Sequence, residues 1–580
     1  MNSKISNIFF SFFKTLKNLI YFLDKQDSKK SLLMLFFILI GTLLEMVSLG
    51  LIFPVIQLTL NNNIISEYPF LLQVKELFHL TDNSLIILML ISIIIIFLIK
   101  NIFLIITIIY KGKFVQDLQK KITAKLYNKY LNQNYSFFIK NNTSELIRNL
   151  TQECPKIVHG IDGMLIIFTE FFILIGICII LIYLSPFVSG VVIGLNIILM
   201  LIWILNTKKK FSKLGEENQT LYSDVLKETQ QGFGNFKEII IYKLRDNFSF
   251  QFKEILVKFC KNIRVLGVLT QIPRILLEQL AVILIIVMAI TIFLFEEDKI
   301  KSAAIIGVYA YALFKILPSI SKLILNLQKL IFVKPSIETV KNQLSVKVIE
   351  QKNAHLENKI KFKEEISIEK MSFKNENKII LRNIDLKIKK NSKVGLIGKT
   401  GSGKSTLLNI IMGLIQPSYG KIKVDGKTLD IENTNWQKKI SFVSQSTYLL
   451  DESILKNITF NDDLKNIDLD KLDKALKSSR LEEFIETLDL KLNTIVGERG
   501  SKISGGELQR IGIARAIYND TEILILDEFT SSLDEKTESE IIENIFSLDK
   551  TIIVATHRIL TLKYCDTIYE LNNSQLFKTK

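Results

Sequence analysis

The chain changes polarity once. Up to about Phe332 it is dominated by long apolar runs, and beyond that point short apolar stretches alternate with glycine and charge. A helix needs about 20 apolar residues to cross a hydrocarbon core roughly 30 Å thick, and six stretches reach that length. They run from about Ser31 to Leu60, Leu85 to Tyr110, Met164 to Leu184, Phe187 to Leu205, Val268 to Phe295 and Ala303 to Phe332. The pattern predicts a six-helix transmembrane domain over residues 31–332. Ahead of it, "SKISNIFFSFFKTLKNLIYFLDK" sets Ile5, Ile8, Phe9, Phe12, Phe13, Leu16, Leu19, Ile20 and Leu23 on one helical stripe with lysines outside it. This predicts an amphipathic helix lying in the membrane interface within residues 1–30. A signal peptide is the rival reading, but no small-residue cleavage site precedes the first span. A smaller amphipathic piece, Ser66 to Leu80, predicts a surface helix between the first two spans.

Charge sets the orientation. The segment from Lys111 to Gly163 carries nine Lys and Arg and that from Asn206 to Gly267 carries twelve, whereas the opposite connections hold only Lys75, Lys299 and Lys301. The positive-inside rule puts both long loops, both termini and the second half in the cytoplasm. The net charge of +16 is therefore an orientation signal, and a nucleic-acid partner is not expected. Cys154, Cys178, Cys260 and Cys565 show no C-x-x-C spacing, so neither a disulfide framework nor a zinc site is indicated. The richness in Ile, Lys and Asn suits an AT-rich bacterial genome, and hence the inner (cytoplasmic) membrane. Glu45, Lys100, Glu170, Arg274 and Glu278 interrupt the spans. Charge in hydrocarbon is costly enough that such residues count as functional candidates, and Glu45, Lys100, Arg274 and Glu278 are the substrate candidates. Arg274 and Glu278 can pair within one helix; Glu45 and Lys100 can meet only across helices.

From about Lys359 the pattern is that of an α/β domain. The apolar strand "KVGLIG" runs into "GKTGSGKST", comprising Gly398, Lys399, Thr400, Gly401, Ser402, Gly403, Lys404, Ser405 and Thr406, and a helix follows. This is the Walker A pattern in its required context. Its backbone N–H groups would wrap the β-phosphate, Lys404 would reach the β/γ oxygens of ATP, and the Ser405 hydroxyl would ligate Mg²⁺. In "EILILDEFTSSLD" a buried strand delivers Asp527 and Glu528 to the carboxyl edge of the sheet, where ligands bind in open α/β folds. Asp527 is placed for Mg²⁺ and Glu528 for polarising the attacking water; the plainer reading is an acidic strand end that caps a turn. His557 and Gln445 end two further apolar strands, as a γ-phosphate contact and as a sensor of γ-phosphate and metal. A second anion-binding helix start appears in "KISGGELQRIGIARA".

Walker A, Gln445, "ISGGE", "ILILDE", "SSLD" and "ATHR" stand in the order and spacing of an ABC-transporter nucleotide-binding domain, and six spans followed by one such domain resemble a bacterial half-transporter of the exporter type. "TIVGERG", Thr494 to Gly500, resembles a loop peculiar to ABC exporters. The resemblance implies a type I exporter-like transmembrane domain, a linker over 333–358 and an ABC ATP-binding domain over 359–580. It implies a homodimer in which Ser504, Gly505, Gly506 and Glu507 close over the partner's ATP. It also implies alternating access transmitted through loop segments near Asn141 to Leu146 and near Gln231 to Phe236. Two departures stand out: Ile503 and Glu507 replace the ends of the common LSGGQ, and Asn375 occupies the usual adenine-stacking position, leaving Phe373 as a substitute. "LLEMVSLGLIFPVIQL", "LIKNIFLIITIIY", "NNTSELIRNL" and "IPRILLEQLAV" are similar to lipid-linked oligosaccharide flippases of the PglK type. The implied cargo is a lipid-linked oligosaccharide or other glycolipid. The alternatives are a multidrug or lipid A-like exporter and, in a different class, an ATP-gated channel or regulator on the same fold.

Overall fold

A computed structural model describes residues 14–50, 81–184, 186–295, 299–346, 361–376, 378–430, 435–461 and 466–580, with 73, 77 and 79. It comprises two compact units, one of residues 1–131 and 141–347 and one of 132–140 and 348–580.

The first unit is built from long helices: α1 (Lys25–Gly50), α2 (Asp82–Leu131), α3 (Cys154–Leu184), α4 (Pro186–Gly234), α5 (Arg245–Phe295) and α6 (Lys299–Ser345). Among the described residues, six helices are long and apolar enough to cross a membrane, in agreement with the six apolar runs. Four of them greatly exceed a bilayer's need. Helices α2, α4, α5 and α6 have 50, 49, 51 and 47 residues, or about 75 Å at 1.5 Å per residue, so their lysine-rich ends project well beyond the hydrocarbon. Helix α6 forms the centre of the packing, with Tyr309, Ala312, Ile316, Ile320 and Ile324 buried against Ile177, Leu181 and Leu277. The backbones of α4 and α6 approach closely at Gly215, where a Cβ would lie 2.3 Å from the Phe332 carbonyl oxygen.

Helix α3 is preceded by a helical turn, Thr143–Arg148, and a π-helical segment, Asn149–Glu153. Around this segment Arg148 donates to Gln219 O and Asn149 Oδ1 at 3.4 and 3.0 Å, and Asn149 Nδ2 donates to the Tyr130 hydroxyl at 3.0 Å.

Two boundaries differ from the sequence reading. Helix α1 starts at Lys25, and residues 14–20 form a separate short helix whose Leu16 and Leu19 are buried. Residues 1–13 of the expected interfacial helix lie outside the described residues, as does nearly all of the Ser66–Leu80 segment. Helix α6 continues to Ser345, through the first half of the expected linker, because a helix leaving the bilayer loses its apolar character without losing its backbone hydrogen bonds. Residues 347–358 of that linker lie outside the described residues. Near the loop segments expected at Asn141 to Leu146 and Gln231 to Phe236 the short helices are Tyr135–Lys140, Thr143–Arg148 and Phe236–Ile241.

The second unit holds two sheets. Strands β1 (Glu365–Asn375), β2 (Lys378–Lys389), β4 (Tyr419–Val424) and β5 (Lys427–Thr428) form an antiparallel sheet in the order β2-β1-β4-β5. Strands β3 (Lys393–Ile397), β6 (Ile440–Val443), β7 (Ile523–Asp527), β8 (Thr551–Ala555), β9 (Thr567–Asn572) and β10 (Gln575–Lys578) form the second, in the order β10-β9-β3-β8-β7-β6. This sheet is parallel except for β10. Strands β7 and β8 are buried along their whole length, which is why they read as unbroken apolar runs. Helices α7 (Lys404–Ile411), α8 (Gly505–Tyr518) and α9 (Glu535–Phe546) pack on this sheet in two cores.

Candidate ATP site

Four of the parallel strands end at one edge, and each delivers a residue singled out in the sequence. After β3 the chain enters the Walker A loop. Gly398 has φ +153°, and a Cβ there would lie 2.4 Å from the Leu571 carbonyl oxygen; Gly403 has φ +109° and starts α7 without a side-chain cap. Only glycine fits both positions, and the uncapped first turn of α7 leaves backbone N–H groups aimed at an incoming anion. Ser402 Oγ is buried in the loop and meets no hydrogen-bond partner. A triphosphate fits this donor set.

Lys404 is buried, and its ammonium donates to Gly398 O at 2.5 Å and lies 3.0 Å from His557 Nε2. Burial pushes its pKa below the usual lysine value, against the pull of Glu528 and Asp527. Ser405 Oγ donates to Asp527 Oδ2 at 2.9 Å. Burial, and secondarily the Glu528 charge, raises the Asp527 pKa, with the Ser405 hydrogen bond and Lys404 working the other way. A hydroxyl and a desolvated carboxylate side by side are hard oxygen donors of the kind Mg²⁺ takes, and a cation between them would relieve the cost of burying the carboxylate. The residues present therefore fit the ion.

Glu528 begins the turn after β7 with φ +45°, a left-handed conformation that is strained for a glutamate. Its N–H donates to Ala555 O at 2.9 Å, which ties it to the end of β8. One carboxylate oxygen accepts from Gln445 Nε2 at 2.6 Å and the other lies 3.7 Å from His557 Nε2. The structure thus joins Lys404, His557, Glu528 and Gln445 in one continuous polar chain beside the Ser405–Asp527 pair. Asn375 is exposed at the end of β1, and Phe373 is half-buried, packed in part against the core.

The second anion-binding element is built differently. Ser504 caps α8 and Glu507 reaches back, Glu507 N donating to Ser504 Oγ at 3.3 Å and Ser504 N to Glu507 Oε2 at 2.7 Å. The Glu507 departure from LSGGQ therefore completes a capping box. Ser504 and Gly505 remain exposed. Among the described residues no hydrogen bond or ion pair joins residues 504–507 to the chain's own Walker A loop.

In the first unit, Glu45 and Lys100 do meet across helices, Lys100 Nζ lying 3.0 Å from Glu45 Oε2. Lys315, on α6, binds the other Glu45 oxygen at 2.7 Å. Lys100 also lies over the Phe97 ring at 4.2 Å, so it is a buried, paired cation and not a free one. Arg274 and Glu278 pair with each other at 2.7 Å on one turn of α5, with both side chains exposed. Glu170 pairs with Lys322 at 2.9 Å.

Two family profiles match the chain: that of the ABC transporter transmembrane region over residues 31–317, and that of the ABC transporter over residues 381–531. The chain belongs to the ABC transporters. Its nucleotide-binding half is an ATPase domain homologous to those of ATP-hydrolysing exporters. This transporter is 39% identical over 203 residues to the alpha-hemolysin translocation ATP-binding protein HlyB of Proteus vulgaris, covering 34% of this chain and 28% of that protein. It is 38% identical over 231 residues to the lactococcin-G-processing and transport ATP-binding protein LagD of Lactococcus lactis (39% and 33%). It is 37% identical over 200 residues to the ATP-dependent lipid A-core flippase of Ralstonia nicotianae (34% of each). The matched region spans about a third of the length of these relatives. A bacterial Atm1-family ABC exporter solved with ATP bound superposes with a TM-score of 0.79 over 95% of both chains at 17% identity, a likeness of fold. The transporter is a multi-pass membrane protein with the half-transporter domain order.

Sequence reasoning missed two residues. Lys315 carries the same signal as Lys100, a lysine inside an apolar run. Gln509 on α8 is 2% exposed and binds the turn that follows Glu528; nothing in the amphipathic pattern separates it from a surface glutamine.

Proposed function

We propose that this transporter uses ATP to export or flip a lipid-linked substrate across the bacterial inner membrane by alternating access. A lipid-linked oligosaccharide or related glycolipid is the favoured cargo. The observation that carries the ATP-driven part is the polar chain at the sheet edge. Glu528, held by Gln445 and faced by His557, orients a water for attack on the γ-phosphorus. Lys404 leaves Gly398 O and His557 for the β/γ oxygens, and the N–H groups at the start of α7 cradle the phosphates. Ser405 and Asp527 would hold Mg²⁺ with Gln445 beside them, and the ion supplies neutralisation of charge developing on the phosphoryl oxygens. Ser504 and Gly505, exposed and unconnected to their own Walker A loop, are offered to the nucleotide of a second copy, so the working form is a homodimer. The termini and the ATPase domain are cytoplasmic by the lysine and arginine bias of the long loops.

Relatives named for toxin translocation, bacteriocin transport and lipid A-core flipping are similar to this chain to much the same degree over the matched third of its length, so these matches do not select a cargo. The membrane half supports the choice through the four stretches quoted above and the Glu45, Lys100 and Lys315 cluster. Lys315, 30% exposed beside the buried Glu45–Lys100 pair, leaves the cluster one positive charge in excess, which favours an anionic headgroup. Reconstitution into liposomes with lipid-linked glycans tests the reading, with sugar accessibility followed at each leaflet. Wild type should move the sugar with MgATP and Glu528→Gln should not. ATPase activity and movement stimulated by other amphiphiles but not by lipid-linked glycans would replace this cargo with a lipid A-like or multidrug one.

A further inference from the structure

Helix α8 faces two ways. Its N-terminal serine is exposed, whereas about 7.5 Å further along the axis the Gln509 side chain is buried beneath the turn that follows β7. Gln509 Nε2 donates to Glu528 O at 3.3 Å and to Ser531 Oγ at 3.2 Å, and its Oε1 accepts from Ser532 N at 2.9 Å. Only an amide offers donors and an acceptor on one short side chain, so no other residue of this length satisfies all three contacts. The same turn packs against the signature glycines: a Cβ on Gly506 would lie 3.2 Å from Ser532 O, and one on Gly505 3.6 Å from Ser532 Cβ. The backbone so held is that of Glu528, whose left-handed conformation persists only if its surroundings impose it. The Ala555 carbonyl holds that residue's N–H and Gln509 holds its carbonyl.

We propose that Gln509 is a positioning residue for ATP hydrolysis, fixing the backbone of Glu528 to the helix whose first residues face a second nucleotide. It touches neither phosphate nor water itself. In a paired assembly, closure of Ser504 over one nucleotide is transmitted through Gln509 to the carboxylate serving the other, so loss of the amide slows hydrolysis and uncouples the two sites. The inference rests on the reading of the site given above.

The test is Gln509→Met, which conserves volume and removes all three hydrogen bonds, in the full chain in lipid bilayers. Expected are a fall in kcat of about tenfold, a KM for MgATP within about twofold of wild type, unchanged nucleotide bound per chain, and a Hill coefficient moving towards one. A purely structural role would lower kcat and bound nucleotide in proportion. That result, or a kcat within about twofold of wild type, overturns the proposal. If Gln509→Met does not accumulate, Ser531→Ala removes one of the three contacts and should lower kcat about twofold to threefold at constant KM; an unchanged kcat there also overturns it. Wild-type turnover no faster than that of Glu528→Gln would instead sink the reading of the site.

Discussion

Replacing Glu507 separates two effects that its side chain combines. Its carboxylate accepts the Ser504 N–H at 2.7 Å while its own N–H donates to Ser504 Oγ at 3.3 Å, so it holds the serine in place. It also puts a negative charge on the positive end of α8, where an arriving γ-phosphate would sit. Glu507→Gln keeps an oxygen for the Ser504 N–H and removes the charge. A charge at a helix end is worth about 0.3–1 kcal/mol, so the KM for MgATP should fall about twofold to fivefold. Glu507→Ala removes the charge and the side-chain half of the box, leaving the backbone N–H donated to Ser504 Oγ. Losing one capping interaction costs about 0.5–2 kcal/mol, which offsets the gain and returns KM to the wild-type value or above it. The assay is steady-state ATPase of the full chain in nanodiscs over a MgATP titration. Equal KM values for the glutamine and alanine variants would show that the box contributes nothing. A KM for Glu507→Gln equal to or above wild type would refute the charge competition.

Two further expectations concern the membrane unit. Glu45→Gln leaves the buried Lys100 and the partly buried Lys315 without their shared carboxylate. It should lower stability in detergent by about 3 kcal/mol, with Lys100→Met in the same chain restoring part of the loss; a thermal midpoint unmoved by Glu45→Gln would mean that the cluster is not formed. Gly215→Ala drives a methyl against the Phe332 carbonyl and should cost about 1–3 kcal/mol in a thermal unfolding experiment, whereas wild-type stability would mean that α4 and α6 do not approach so closely.

The sequence made the nucleotide site readable because each of its residues stands at the end of a short apolar run, and such runs become parallel strands whose carboxyl ends share one edge. The membrane spans were readable because hydrocarbon admits so few polar residues. What stayed hidden depended on contacts between distant segments. The Glu45–Lys100 pair was foreseeable from two unpaired charges, but the third member needed the placement of α6. Comparison with LSGGQ marks Glu507 only as a departure, although S-x-x-E ahead of a helix is also the capping-box signature. Helix α6 outruns the apolar run that predicts it because a change in polarity is not a change in conformation.

The π-helical segment at Asn149–Glu153 has a consequence for register. An α-helix turns about 100° with each residue, and a π segment holds one more residue than the α turn it replaces. The stretch 143–148 is thereby rotated relative to α3, so Arg148 reaches Gln219 O and Asn149 reaches Tyr130, while Cys154, Ile157 and Val158 stay buried among apolar neighbours. Deleting a single residue there would give an uninterrupted α-helix and swing the guanidinium out of alignment with its acceptors. At this point the chain holds a locally irregular coil so that the two faces of one rod can each meet a different neighbour.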